Sequence, residues 1–186
     1  MKIDFTGIIA AGESVKLEPG RYSIVTSDEW SVKPSSNNKT NLVLRIPFTV
    51  TNDGQFKGAR SAYYHTMMTD DKDLEKLIQN KSFTKRLFLS LGIISDDDRL
   101  PDGTGPVFEF EVGADNDFGG KAINAVSVNG ERRSLGGIQA IATVVQDTKS
   151  TTGVRVDKLE ANGKPSTLQG AQSDTVGGTK PKDFPF

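Results

Sequence analysis

From Asn41 to Thr51 apolar side chains fall on every second residue: Leu42, Leu44, Ile46, Phe48 and Val50 share one face, and Val43, Arg45, Pro47 and Thr49 the other. A period of two over this length is the mark of a half-buried β-strand. Pro47 lacks a ladder donor, which places the strand at an edge or beside a bulge. A strand cannot stand alone, and the flanking sequence supplies partners. Leu17-Glu18-Pro19-Gly20 is a turn signal, and Arg21–Val32 follows with Tyr22, Ile24 and Thr26 alternating against Ser23, Val25 and Ser27. After the second strand, Asn52-Asp53-Gly54 reads as a tight hairpin into a third strand over Gln55–Met67.

The period then changes. A cap at Thr69 or Asp70, an acidic first turn (Asp70, Asp71, Asp73, Glu75) and apolar residues at Leu74, Leu77 and Ile78 predict a helix. A second helical piece starts at Ser82, carries Phe83, Leu87, Phe88 and Leu91, and stops at Gly92, so one kinked helix or a helical hairpin is expected. Strand character returns at Val107–Val112, Lys121–Val128 and Ile138–Val145, with turns at Asp115–Gly120 and Asn129-Gly130. The order β-β-β-α-β-β matches an OB-like, mainly β barrel of five or six strands with the helical segment between the third and fourth. Sandwiches with one inserted helix fit the same string.

After Asp147 the composition shifts to Ser, Thr, Gly, Gln, Lys and Pro, and isolated Val and Leu residues keep no period. Such a segment buries too little apolar surface to offset its ordering entropy. The chain thus divides into a body, residues 1–147, and a flexible linker with a terminal tip, residues 148–186. The tip, Asp183-Phe184-Pro185-Phe186, sets two aromatic rings at the end of a polar segment, where their exposure is costly unless something binds them.

Composition removes most catalytic chemistry. The chain has no cysteine and one histidine, His65, which excludes thiol catalysis, zinc ribbons and any metal site with two histidine ligands. Asp96-Asp97-Asp98 and Asp70-Asp71-Lys72-Asp73 read as solvated caps. Asp115-Asn116-Asp117 fails as a calcium loop because the twelfth position is Val126 rather than Glu. Gly103-Thr104-Gly105 leads into a strand instead of opening a helix, so no nucleotide fingerprint is present. The chain is expected to be no enzyme and to need no cofactor and no metal; a metal-dependent nuclease on Asp96, Asp97, Asp98 and Glu109 is the weakest reading. No run approaches the ~18 apolar residues of a membrane span, and the start reaches Asp4 before any apolar stretch forms, so a cytoplasmic protein with no membrane partner is expected.

Binding of a nucleic-acid strand is better supplied. Lys33, Lys39, Arg45, Lys57 and Arg60 are interleaved with Trp30, Phe56, Tyr63 and Tyr64, and Arg132-Arg133 follows the Asn129-Gly130 turn. Cations follow phosphates while rings stack on bases without reading sequence. If the third strand is regular, Lys57, Ser61, Tyr63 and His65 share one side and Phe56, Arg60, Ala62 and Tyr64 the other; a bulge at Gly58 would reassign them. The formal net charge of −1 does not oppose this. The acids cluster in Asp70–Glu75, Asp96–Asp102 and Glu109–Asp117, while Arg21–Phe56 is richer in bases, and a segregated field binds phosphate locally.

Two features carry a resemblance. Lys182-Asp183-Phe184-Pro185-Phe186 after a Gly/Ser/Gln-rich linker resembles the C-terminal end of bacterial and phage single-stranded DNA-binding proteins. Glu18-Pro19-Gly20-Arg21-Tyr22, Asn41-Leu42-Val43-Leu44 and Gly54-Gln55-Phe56-Lys57-Gly58 are similar to a phage family of small proteins associated with recombination genes, over about residues 15–145. The resemblance implies an OB-fold that holds single-stranded DNA in an infected host cell, with a tip (Asp183, Phe184, Pro185, Phe186) that docks replication or recombination proteins. Phosphates would be met by Lys33, Arg45, Lys57, Arg60, Arg132 and Arg133, and bases by Trp30, Tyr63 and Tyr64; a homo-oligomer is allowed. The other reading, from a different class, is a phage structural or assembly protein that uses its tail as an interaction arm.

Overall fold

The alternating run becomes the centre of the sheet. The computed structural model describes residues 16–69, 71–98, 100, 103 and 105–162. In it β1 (Gly20–Thr26) and β2 (Ser31–Pro34) lie along one edge of β3 (Asn41–Val50), and β4 (Arg60–Met68) lies along the other. Leu44, Ile46, Phe48 and Val50 are buried, as their period demands. The single first strand expected over Arg21–Val32 is broken. β1 ends at Thr26 opposite Phe48 and β2 starts at Ser31 opposite Arg45, so Pro47, which has no N–H to offer, faces the break. Its carbonyl accepts from Ser27 N–H at 2.9 Å.

β4 is followed by α1 (Leu74–Ser90), one continuous helix rather than a hairpin of two. Nothing in Gln79-Asn80-Lys81-Ser82 breaks a helix, because neither glycine nor proline occurs there. Asp73 is the N-cap, its carboxylate accepting from Lys76 N–H at 3.1 Å. Gly92 stands just past the end with φ 67°, a conformation that glycine adopts without steric penalty. Next come β5 (Phe108–Asp115), β6 (Lys121–Val128) and the short β7 (Glu131–Arg133), an antiparallel group attached to the main sheet through the β6–β2 pairing. β8 (Gln139–Gln146) then pairs with β1, and β9 (Val154–Ala161) with β8.

β9 corrects the sequence reading. The body does not end at residue 147; the ordered sheet continues through Ala161, and Leu159 is buried in the core. The alternation is hidden by a register shift: Val156 faces Val144, but Lys158 faces Thr143 and Leu159 faces Ala142. One extra residue at Asp157 moves the buried positions from even to odd numbers, and a bulge of this kind defeats a period-two test. The tip, Asp183–Phe186, lies outside the described residues.

The protein is mainly β with one helix among the described residues. Its hydrogen-bonded path runs β5-β6-β2-β3-β1-β8-β9, with β4 on β3 and β7 on β6. The sheet is not closed into a barrel: β4 and β9 lie alongside each other without a ladder, and α1 packs against both. Hydrogen bonds set the helix in that seam. Asn80 accepts from Met68 N–H at 2.7 Å and donates to Thr66 O at 2.9 Å, His65 Nε2 pairs with Thr84 Oγ1 at 2.8 Å, and Ser90 Oγ lies 3.2 Å from Leu159 O. On its other side Phe88 packs edge-on against Phe108, with ring centroids 5.0 Å apart. Among the described residues no helix is long and apolar enough to cross a membrane.

Candidate nucleic-acid interface

The registers decide which side chains share the outer surface. Leu44 and Ile46 point inward, so Val43, Arg45, Pro47 and Thr49 lie on the other side, where Pro47 is itself buried, and their partners in β4 are Thr66, Tyr64, Ala62 and Arg60. Lys33 pairs with Val43 and lies on the same surface. Four of the expected residues are thereby brought together: Lys33, Arg45, Arg60 and Tyr64. Gln55–Gly58 is a turn rather than strand, and the exposed side of β4 is the one carrying Arg60, Ala62 and Tyr64.

Tyr64 is 54% exposed, enough for a ring face to meet a ligand. Among the described residues, no carboxylate lies within ion-pair distance of Lys33, Arg45 or Arg60, so their charge is not already spent internally. The surface continues into an open groove of about 880 Å³, whose lining includes Arg45, Arg60, Tyr64, Lys16 and Arg155, together with Ser150–Thr152 of the β8–β9 loop. Glu29 is also in the lining, and Arg155 is partly neutralised by Asp157 at 2.9 Å. This gives a shallow, net basic trough with an aromatic ring in its wall, suited to an extended anionic chain.

The other expected residues do not join them. Trp30 is 0% exposed and cannot stack on a base; it is one of the largest side chains of the core. Tyr63 follows Ile46 to the opposite face of β4, where it stacks on His65 and is half-buried. Burial raises the pKa of its hydroxyl, with Asp157 adding to the rise, and burial lowers that of His65. Lys57 is in the β3–β4 turn, paired with Asp53 at 2.6 Å. Arg132 pairs with Glu111 at 2.8 Å. Arg133 grips Asp98 through two bonds of 2.8 and 2.6 Å and donates to Ile93 O at 2.6 Å. Both arginines lie on β7, which pairs with β6 and is separated from β3 by β6 and β2 in strand order. Arg133 is a latch: its hydrogen bonds and the Ser95 amide hold the Asp98 carboxyl at a pKa of about 2. With Asp98 so engaged, the Asp96–Asp98 run offers little to a cation, and among the described residues no group of three acidic or histidine side chains is placed to hold one.

One ring of this surface escaped the sequence reading. Phe118, in the β5–β6 turn, lies 5.7 Å from the Tyr64 ring, with Lys33 Nζ 3.9 Å and the Arg45 guanidinium 5.5 Å from its centroid. A lone aromatic between Asp117 and Gly119 carries no periodic signal; only the folding of the turn onto β2 shows where it points. No family model, curated protein or solved structure matches this chain.

Proposed function

We propose that the protein binds single-stranded DNA, without sequence preference, on the outer surface of β2, β3 and β4. The observation that carries this is the convergence of Lys33, Arg45, Arg60 and the exposed Tyr64 on one face, beside a groove that continues their line. Cations spaced along a trough neutralise successive phosphates, and a tyrosine ring offers a base a stacking partner that every nucleotide can use. Double-stranded DNA, whose bases are already stacked, would leave Tyr64 unused.

The strand order supports an OB-like body. In the path β4-β3-β1-β8-β9, with β4 beside β9 and the helix in the seam, five strands follow the sequence of a five-stranded Greek-key barrel. The β5-β6-β7 group is then an insertion between the helix and β8. On this reading the β8–β9 loop belongs to the mouth of the groove, as its lining residues do. The reading extends to Asp183-Phe184-Pro185-Phe186 as a dock for replication or recombination proteins; removing them should leave DNA affinity unchanged or raised while abolishing capture of those partners.

The test is fluorescence anisotropy of a labelled oligo-dT at several salt concentrations. Three free cations imply a slope of log K against log salt of about −2, at ~0.7 per phosphate for single strands. Arg45→Ala and Arg60→Ala should each make the slope shallower by about 0.7, whereas Arg132→Ala should leave it unchanged. No binding at low salt would reject the proposal. Trp30 emission is a poor substitute as a probe because the ring is enclosed.

A further inference from the structure

Phe118 is placed where an ordinary core residue would not be. It is half-buried, yet it belongs neither to the core cluster nor to the apolar residues packed against that cluster. Its ring neighbours are Tyr64, Lys33 and Arg45, three side chains of the proposed interface. The turn that carries it is firmly built. Asn116 Oδ1 accepts from Phe118 N–H at 3.1 Å and from Gly120 N–H at 3.3 Å, and the Asn116 backbone N–H donates to Gly120 O at 2.9 Å. At Gly120 a Cβ would stand 2.4 Å from the Val32 carbonyl, so the turn lies flat on β2 only because that position is glycine.

Lysine and arginine side chains are otherwise highly flexible, and ordering them on binding costs affinity. Here Lys33 is ordered in advance. Its ammonium sits over the face of the Phe118 ring and donates to the Phe118 carbonyl at 3.4 Å. Arg45 is drawn to the same ring, and Tyr64 leans against it with planes 36° apart while more than half of its own surface stays open.

We propose that Phe118 is a positioning residue of the interface: the β5–β6 turn brings its ring onto the β2–β3–β4 surface to hold Lys33 and Arg45 ready for the phosphates of a single DNA strand and to brace Tyr64 for stacking with a base. The proposal rests on the single-strand reading above and adds to it a part for the β5–β6 turn.

The experiment compares the full chain with Phe118→Leu, Phe118→Tyr and Tyr64→Ala, using anisotropy with labelled oligo-dT at low and moderate salt and a thermal melt of each. Leucine keeps apolar bulk but has no π face, so Phe118→Leu should weaken binding by about fivefold, the cost of ordering on binding one long side chain that the ring no longer holds in advance. Phe118→Tyr should restore affinity to within about twofold, because its ring retains the π face. Binding by Phe118→Leu as tight as or tighter than the parent, or failure of Phe118→Tyr to restore it at unchanged melting temperature, would overturn the proposal. If Phe118→Leu does not fold, proton shifts of the parent chain decide: the Lys33 ε-methylene should be shifted upfield by the ring and should move when oligo-dT is added, and an unshifted resonance counts against the role. Failure of the parent chain to bind oligo-dT would remove both readings, whereas binding that Tyr64→Ala weakens and Phe118→Leu does not would remove this one alone.

Discussion

Asp98→Asn should destabilise the protein by about 2 kcal/mol at neutral pH. The carboxylate accepts from both terminal nitrogens of Arg133 at 2.8 and 2.6 Å, from Ser95 N–H at 2.6 Å and from Ser95 Oγ at 3.2 Å, and only 13% of the side chain is exposed. Together these lower its pKa from 3.8 to about 2, with the Arg133 hydrogen bonds the largest cause. At 1.36 kcal/mol per unit the shift corresponds to about 2 kcal/mol of preference for the charged form in the folded chain. Asparagine keeps the shape but loses the charge, turns one acceptor into a donor facing Arg133, and leaves that guanidinium without its main counter-ion. In a body of this size the change should lower the melting temperature by roughly 4–8 °C. The sign of the pH dependence follows from a depressed folded-state pKa: the contribution is complete above the ordinary carboxylate value near 3.8 and is lost as pH falls through about 2. Urea melts of parent and variant from pH 7 to pH 2 should therefore show a gap that is constant down to about pH 4 and closes below it. A variant with the parent's midpoint at pH 7, or a gap that stays open at pH 2, would refute the latch and return Arg133 to the list of free cations.

Leu159→Ala should cost about 2–5 kcal/mol, as for other buried leucines, and a chain cut after residue 147 should fail to fold cooperatively; a stable truncated chain by calorimetry would show that β9 is dispensable. Trp30→Phe should lower the urea midpoint while leaving oligo-dT affinity unchanged, since Trp30 is enclosed; a selective loss of affinity would contradict its burial. His65 is held neutral by burial in the seam between β4 and α1, so its pKa lies below the ordinary 6.5. Its contribution to stability is whole above pH 6.5 and is lost as pH falls through the lowered value. His65→Gln should flatten stability over this range, and an unchanged slope between pH 7 and pH 4.5 would exclude the histidine as its source.

Much of the secondary structure was legible because local rules act within a few residues of chain. Period two located β3, strand character marked β6 and β8, a helix start was legible at Thr69 or Asp70 although the cap falls at Asp73, and Gly92 announced the helix end. Three features were hidden. The break between β1 and β2 depends on what lies opposite Pro47, and the two helical pieces merge because the polar residues between them, Gln79–Ser82, interrupt the apolar period without breaking the helix. β9 gives no sign of itself in the sequence because its bulge resets the alternation. Among the candidate interface residues, type and position along the chain were visible, but exposure was not. Trp30 and Tyr64 look alike as aromatic residues near basic ones, yet Trp30, in the break between β1 and β2, is enclosed in the core while the register of β4 on β3 turns Tyr64 to the surface.

The sequence by itself determined that this chain builds a mainly β body around one helix, and that it offers no thiol and a single imidazole, since composition and period are properties of the chain alone. Only the tertiary structure decided which charges remain available. An ion pair is settled by distances of a few ångströms between segments far apart in sequence: Arg133 finds Asp98 thirty-five residues away, while Lys33 and Arg45 meet the ring of Phe118. The same folding turns one set of basic residues into internal fasteners and leaves the other facing outward.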